Sequence, residues 1–197
     1  MNVNKKNKLF SKAEVVSLIV IFGILVAVSI PNFAASLRRA RDQVRRDDMG
    51  SLMTALNQYY MDFGSYPLSS ADGKIMDCLN PGDAPYKDSR GYWIINTIPC
   101  TWGKEAFVNL ITKKIYMDIL PRDPNWQKGA SYIFISDGNM YQLFAAMEGG
   151  DEPEVDPKIV AENRSCGNQI CNIGRSQGCD IPKTLQQCEE EAKLLKK

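Results

Sequence analysis

A continuous apolar segment near the N-terminus constrains this chain more than any other feature. Twelve of the sixteen residues from Val15 to Ile30 are Val, Leu, Ile or Phe. At roughly 0.3–0.6 kcal/mol each, these side chains favour insertion into a bilayer by about 4–7 kcal/mol. Glu14 lies near the start of the segment, so it costs less than the ~2.5–3.5 kcal/mol of a charge at the bilayer centre. The sequence therefore predicts a membrane-spanning helix over residues 10–33.

The charges around this segment predict its orientation. Basic residues in short flanking segments stay on the cytoplasmic side. The arginines that follow the segment oppose this orientation, but the N-terminal lysines favour a cytoplasmic N-terminus and an exported remainder. The alternative is a cleaved secretory signal peptide, whose apolar core of about 7–15 residues is shorter than the one found here. The lysines are Lys5, Lys6, Lys8 and Lys12, and the arginines are Arg38, Arg39, Arg41, Arg45 and Arg46.

Composition excludes most catalytic classes. The chain has no histidine, which excludes Ser-His-Asp and Cys-His catalysis and the zinc sites that use histidine. It contains no CxxC pair and no glycine-rich phosphate-binding motif. A formal net charge of +1 gives no strong positive field that would attract nucleic acid. We therefore predict a protein that is not an enzyme, needs no cofactor for chemistry and binds no nucleic acid.

The chain has six cysteines, an even number that fits a disulfide-bonded exported domain. Free thiols, or a zinc site built from the last four, remain alternatives. Fifteen pairings are open to six cysteines, and the sequence does not choose among them. A bridge between the first two would close a loop of about 23 residues and stabilise the fold by about 3 kcal/mol. The six are Cys78, Cys100, Cys166, Cys171, Cys179 and Cys188.

The helical pattern continues beyond the apolar segment. Pro31 removes one backbone hydrogen bond, which predicts a kink or a short melted stretch. An apolar stripe then predicts a helix that packs against a head domain and ends at Phe63-Gly64. The stripe consists of Leu37, Val44, Leu52, Ala55, Tyr59 and Phe63, with Arg38, Asp42 and Arg45 on the opposite face.

The rest of the head mixes helix and strand signals. Residues 104–120 predict a second helix, with apolar side chains on one side. Asp137-Gly138-Asn139 lies between β-rich runs and predicts a hairpin. The aromatic side chains are expected to form ordinary core; they are Trp93, Trp102, Trp126, Tyr132, Phe134, Tyr141 and Phe144.

The N-terminal residues resemble those of a known family. Phe10, Glu14, the run Gly23-Ile24-Leu25 and the run Ile30-Pro31-Asn32-Phe33 are similar to the start of type IV pilins and type II secretion pseudopilins. Counting Phe10 as the first mature residue places Glu14 fifth and Pro31 twenty-second, where the family has glutamate and proline. Residues 40–67, and the order of the motifs up to Glu148, also resemble the major pseudopilin of type II secretion.

This resemblance implies how the N-terminus is processed and used. A prepilin peptidase would cut between Leu9 and Phe10, and Leu9 stands where the family has glycine. Glu14 would then pair with the new amine of Phe10 on a neighbouring subunit, because a carboxylate in a low-dielectric bundle is costly when unpaired.

The resemblance also implies an α+β, pilin-like fold: a long N-terminal transmembrane helix packed against a small antiparallel sheet, with a cysteine-rich C-terminal extension. We expect a basic leader (1–9), the transmembrane segment (10–33), a head with an amphipathic helix (34–150), a linker (151–165) and a cysteine-rich tail (166–197).

The acidic run before the tail is a candidate metal-binding site. Pseudopilins bind calcium in the loop at the end of the head, and the resemblance makes Asp151, Glu152 and Asp156 candidate ligands. The alternative is a solvated linker, because the spacing is not that of an EF-hand and two prolines interrupt the run.

Together these features predict a structural subunit, anchored in the membrane and assembled into a pilus or pseudopilus for secretion, adhesion or DNA uptake. Its expected partners are like subunits, the membrane, prepilin peptidase and the inner-membrane assembly machinery. Its expected place is the bacterial inner membrane, as a single-pass protein with an extracytoplasmic head that reaches the periplasm or cell surface after assembly. The alternative is an unprocessed, membrane-anchored receptor or adhesin that binds through its disulfide-rich tail.

Overall fold

The computed structural model describes residues 11–181 and 183–195. Two compact units meet between Ala40 and Arg41, and helix α1 (Lys12–Phe63) contributes to both. Gly64 ends α1 in the left-handed conformation (φ 71°), and its N–H donates to the carbonyl of Tyr60, as predicted for the helix exit. The helix continues through Pro31 without a melted stretch, because one missing N–H removes a single bond from a long ladder.

The first unit presents its apolar side chains outward. Those from Val15 to Ile30 are 38–69% exposed, and nothing within this unit covers them. Among the described residues, α1 is the one helix long and apolar enough to cross a membrane. The first unit is therefore a single-pass membrane anchor.

The second unit is an α+β head, which confirms the predicted fold class. Its main sheet has three antiparallel strands in the order β5 (Ile133–Ser136), β6 (Tyr141–Ala145) and β9 (Ile173–Gln177), with β6 central. Three two-stranded ribbons complete the strands of the described head: β1 (Tyr86–Lys87) with β2 (Trp93–Ile94), β3 (Phe107–Val108) with β4 (Ile115–Met117), and β7 (Ser165–Cys166) with β8 (Gln169–Ile170). The other elements are a 3₁₀ turn (Trp126–Lys128), α2 (Pro157–Ala161) and α3 (Leu185–Leu195).

Strand β6 is buried on both faces of the sheet. Its side chains alternate, so Tyr141 and Leu143 join the core formed with Leu52 of α1. Phe144 faces the other way and packs with Ile159 of α2 and with the Cys166–Cys171 bridge. The head therefore has apolar cores on both sides of one small sheet.

The cysteines form three disulfides, Cys78–Cys100, Cys166–Cys171 and Cys179–Cys188. The first closes the loop that carries ribbon β1–β2, the second closes ribbon β7–β8, and the third ties α3 to the end of β9. No free thiol remains among the cysteines of this chain.

The predicted second helix over residues 104–120 is wrong. Residues Phe107–Val108 pair with Ile115–Met117 as an antiparallel ribbon. The Asn109 side chain accepts hydrogen bonds from the N–H groups of Ile111 and Thr112, and Lys113 has a positive φ of 64°. This local turn chemistry competes with a helix, and the β-branched residues nearby favour strands.

The predicted face of α1 is also partly wrong. Val44, assigned to the apolar stripe, is 44% exposed, whereas Asp42 and Arg45, assigned to the opposite face, are fully buried. Their opposite charges pair with each other inside the head. This pairing makes burial possible at positions that the apolar pattern alone does not predict.

Not all of the aromatic residues are core. Tyr132, Phe134, Tyr141 and Phe144 are fully buried, as expected, but Trp93 and Trp126 are almost half exposed. Cations stack on both indoles: Lys87 Nζ lies 5.1 Å from the Trp93 ring centre, and Arg122 Cζ lies 4.0 Å from that of Trp126.

Residues 151–165 and the tail take part in the head. The first segment contains α2, and its acidic side chains contact α1. Strand β9 of the tail is the third strand of the main sheet. Gly174 in β9 allows this packing, because a Cβ there would lie 2.5 Å from Cδ1 of Ile181. Within residues 151–181 and 183–195, both segments therefore pack with the head.

Asp77, beside the first disulfide, is a buried carboxyl group that links stability to pH. It is 6% exposed, and Tyr59 donates a long 3.5 Å hydrogen bond to its Oδ1. Burial raises the pKa of Asp77 to about 7. The unfolded value is about 3.9, so the folded state holds an extra proton between these values, and stability falls as pH rises through this range.

We therefore expect Asp77→Asn to raise the melting temperature above pH 7, by an amount equivalent to a few kcal/mol, and to match the wild type near pH 4. Melting temperature against pH, measured for both proteins, tests this. Asp83→Asn, which alters an exposed carboxylate of the same loop, is the matched control. Parallel curves for Asp77→Asn and wild type would contradict the assignment.

Candidate functional site

The start of α1 is fixed by a reciprocal pair of hydrogen bonds between Ser11 and Glu14. The backbone N–H of Glu14 donates to Ser11 Oγ at 3.2 Å, and the backbone N–H of Ser11 donates to Glu14 Oε2 at 2.6 Å. This is a capping box, which satisfies two backbone donors that a helix N-terminus leaves unpaired. In the single chain, Glu14 therefore caps its own helix, a role in addition to the pairing that the resemblance predicts.

The other predicted processing and assembly residues are placed as follows. Leu9 and Phe10 lie outside the described residues. Pro31 lies within α1, in the membrane-spanning part. Glu14 stands at the entrance of this part, three residues after Ser11, and its side chain is exposed. A second chain can therefore reach the carboxylate, although pairing must compete with the capping box.

A second site lies in the head, where a buried arginine is surrounded by carboxylates. Arg45 donates to Asp123 through two hydrogen bonds, at 2.7 and 2.9 Å. Its Nη1 donates to Asp42 at 2.7 Å and to Glu148 at 3.1 Å. Burial alone would lower the pKa of Arg45, but the hydrogen bonds and charges of its carboxylate partners raise it above its ordinary value. Arg45 is thus a permanent buried cation.

Arg41 and Asp42 extend this cluster to the chain segment after β6. Arg41 holds Glu148 through two hydrogen bonds of 2.6 Å, which lower the pKa of Glu148 to about 2. Asp42 accepts hydrogen bonds from the backbone N–H groups of Glu148 and Gly149, at 2.9 and 3.0 Å. Side chains of α1 therefore bind both the side chain and the backbone of this segment.

Arg46 binds the acidic run itself. Its guanidinium donates to Glu152 at 2.7 Å and to both carboxylate oxygens of Glu154, at 2.9 and 3.1 Å. These groups are about one-fifth to one-third exposed, so the pairs lie at the rim of the cluster. We call Arg41, Arg45, Arg46 and their carboxylate partners the arginine clamp.

The three candidate calcium ligands do not converge. Glu152 pairs with Arg46, and Asp156 caps α2 by accepting a hydrogen bond from the N–H of Lys158. Asp151 is exposed to solvent. Within residues 11–181 and 183–195, no group of three acidic or cysteine side chains is arranged to hold a metal ion.

The clamp arginines were missed as site residues by the sequence analysis. A signal was available: Arg41, Asp42, Arg45 and Arg46 combine both charges at helical spacing, and the acidic run near residue 150 supplies the complementary charge. The sequence does not say that these two segments meet, because the contacts join residues more than one hundred positions apart.

Comparison with known proteins supports the resemblance predicted from the N-terminus. The chain is 28% identical over 153 residues to type II secretion system core protein G of Pseudomonas aeruginosa, covering 75% of this chain and 90% of that protein. It is 24% identical to the protein of the same name from Escherichia coli, covering 77% and 88%. No protein-family model and no solved structure matches. The resemblance to type II secretion pseudopilins is confirmed.

Proposed function

We propose that this chain is a pseudopilin-like structural subunit, anchored in the bacterial inner membrane and assembled with copies of itself into a secretion pseudopilus. The observation that carries the proposal is the exposure of the apolar part of α1. A helix that displays Val, Leu, Ile and Phe on all sides needs a bilayer or other apolar helices around it. The residues of α1 from Arg41 onward also contribute to the head core, through Met49, Leu52 and Leu56.

The similarity to core protein G supports secretion over adhesion or DNA uptake. Within this proposal the N-terminus is cytoplasmic and the head extracytoplasmic, which agrees with three disulfides in the head. A prepilin peptidase and an inner-membrane assembly machinery complete the scheme. The role of the chain is structural rather than catalytic.

Assembly with like subunits is tested by co-expressing two copies with different tags. We expect capture through one tag to recover the other from the solubilised membrane fraction. Ile24→Lys, which places a charge in the middle of the apolar segment, should abolish recovery. Leu194→Lys, which alters an exposed apolar side chain of α3, is the matched control. Recovery of one tag alone from the wild type would contradict the proposal.

A second candidate function is an unprocessed membrane-anchored binding protein, and the observation that favours it is Leu9 at the position before the cut. N-terminal sequencing of the protein from membranes separates the two. Phe10 as the first residue supports the fibre subunit, and an uncut leader supports the anchored binding protein.

A further inference from the structure

We infer that the head of this protein uses arginine side chains where its resemblance to pseudopilins implies a calcium ion, so that the segment after β6 is held to α1 without calcium. Calcium needs six to eight oxygen ligands at about 2.3–2.6 Å. The acidic run supplies enough carboxylates for this in number. Whether these carboxylates are free to bind calcium depends on the groups that they already contact in the folded head.

Carboxylates of this segment that face α1, and Asp42 of α1 itself, already accept hydrogen bonds. Both oxygens of Glu148 and of Glu154 accept hydrogen bonds from arginines, and Glu152 accepts one from Arg46. Both oxygens of Asp42 accept backbone N–H groups of the segment. A metal would have to displace several short charge-assisted hydrogen bonds, which are about twice as strong as neutral ones.

Arg45 supplies a cation to three carboxylates of the clamp. Carboxylates of Asp42, Asp123 and Glu148 converge on its guanidinium, at 2.7–3.1 Å. Its planar guanidinium donates hydrogen bonds to several carboxylates at once, whereas a metal ion would bind them by coordination. Because this cation is covalently part of α1, it is present at every calcium concentration and no chelator removes it.

The clamp contains five carboxylates and three arginines, and backbone N–H groups donate hydrogen bonds to two of the carboxylates. Asp42 accepts two N–H groups, and Asp123 accepts the N–H of Asn125 at 2.7 Å. Hydrogen bonds of this kind stabilise the ionised carboxylate. Arginines and backbone N–H groups therefore stabilise these carboxylates in their ionised form without a bound ion.

The test is thermal unfolding of the full chain in detergent, with excess chelator or with millimolar calcium at equal ionic strength. We expect the melting temperature to change by less than about 1 °C, because calcium shifts it only by binding the folded state. A calcium site at 100 times its dissociation constant would raise the melting temperature by roughly 5–10 °C.

The arginines are tested separately with Arg46→Gln, a rim substitution that leaves the buried Arg45 in place. We expect its melting temperature to fall by roughly 3–6 °C, equally with chelator and with calcium. Arg39→Gln, an exposed arginine of the same helix, should leave it unchanged. A wild-type protein that loses stability in chelator and regains it with calcium would overturn the inference. So would an Arg46→Gln variant that melts like Arg39→Gln.

Discussion

Arg45→Met should destabilise the head by about 3–5 kcal/mol, because removal of one partner leaves buried charges uncompensated. Asp123 is 1% exposed and Asp42 is fully buried, so neither carboxylate can turn to water without opening the core. For a unit of this size the melting temperature should fall by about 6–20 °C. Thermal or denaturant unfolding, followed by near-ultraviolet circular dichroism of the head aromatics, measures the effect.

Two variants separate the charge from the size of the side chain. Arg39→Met makes the same substitution at an exposed position of α1 and should change stability by less than about 0.5 kcal/mol. Arg45→Lys keeps the charge but loses the two-pronged contact with Asp123, so it should fall between wild type and Arg45→Met. If Arg45→Met and Arg39→Met unfold alike, the clamp does not stabilise the head.

Loss of the Glu14 charge should abolish assembly while leaving insertion into the membrane intact. The carboxylate has two competing roles: it caps α1 within its own chain, and in the proposed fibre it pairs with an amine of the neighbour. Gln can replace Glu in a capping box but carries no charge. Glu14→Gln therefore removes the pairing role and keeps the capping role.

Ser11→Ala is the converse variant, since it removes the capping hydroxyl and keeps the carboxylate charge, at a cost of about 1 kcal/mol. We expect Glu14→Ala and Glu14→Gln to reduce association between copies at least about 100-fold, and Ser11→Ala to assemble. Capture of differently tagged copies measures association, and resistance to alkaline extraction measures insertion. If Glu14→Gln assembles normally, assembly does not depend on the charge of Glu14.

The long helix and the hairpin at Gly138 could be predicted because their signals are local. The apolar run of α1, Gly64 at its end and the Asp-Gly turn each act on neighbouring residues. The sequence does not distinguish the ribbon β3–β4 from a helix, because spaced apolar residues in a short segment fit both. The turn around Asn109 decides between them, and a helical interpretation overlooks it.

The arginine clamp and strand β9 could not be predicted, because both depend on contacts between distant segments. Arg45 looks like a surface residue until Asp123 and Glu148 are brought to it by the fold. Likewise, β9 resembles part of a separate tail until it pairs with Tyr141–Ala145. Polar side chains in a core follow from the tertiary structure and not from the periodicity of one helix.

The central claim is that other copies of the same helix cover the exposed apolar part of α1. Photo-crosslinking from Ile24, which is 59% exposed, tests it most directly in cells that assemble the protein. We expect adducts between two copies of this chain, and these adducts should disappear in Glu14→Gln. Adducts formed with lipid or with unrelated membrane proteins, and none between copies, would contradict the account.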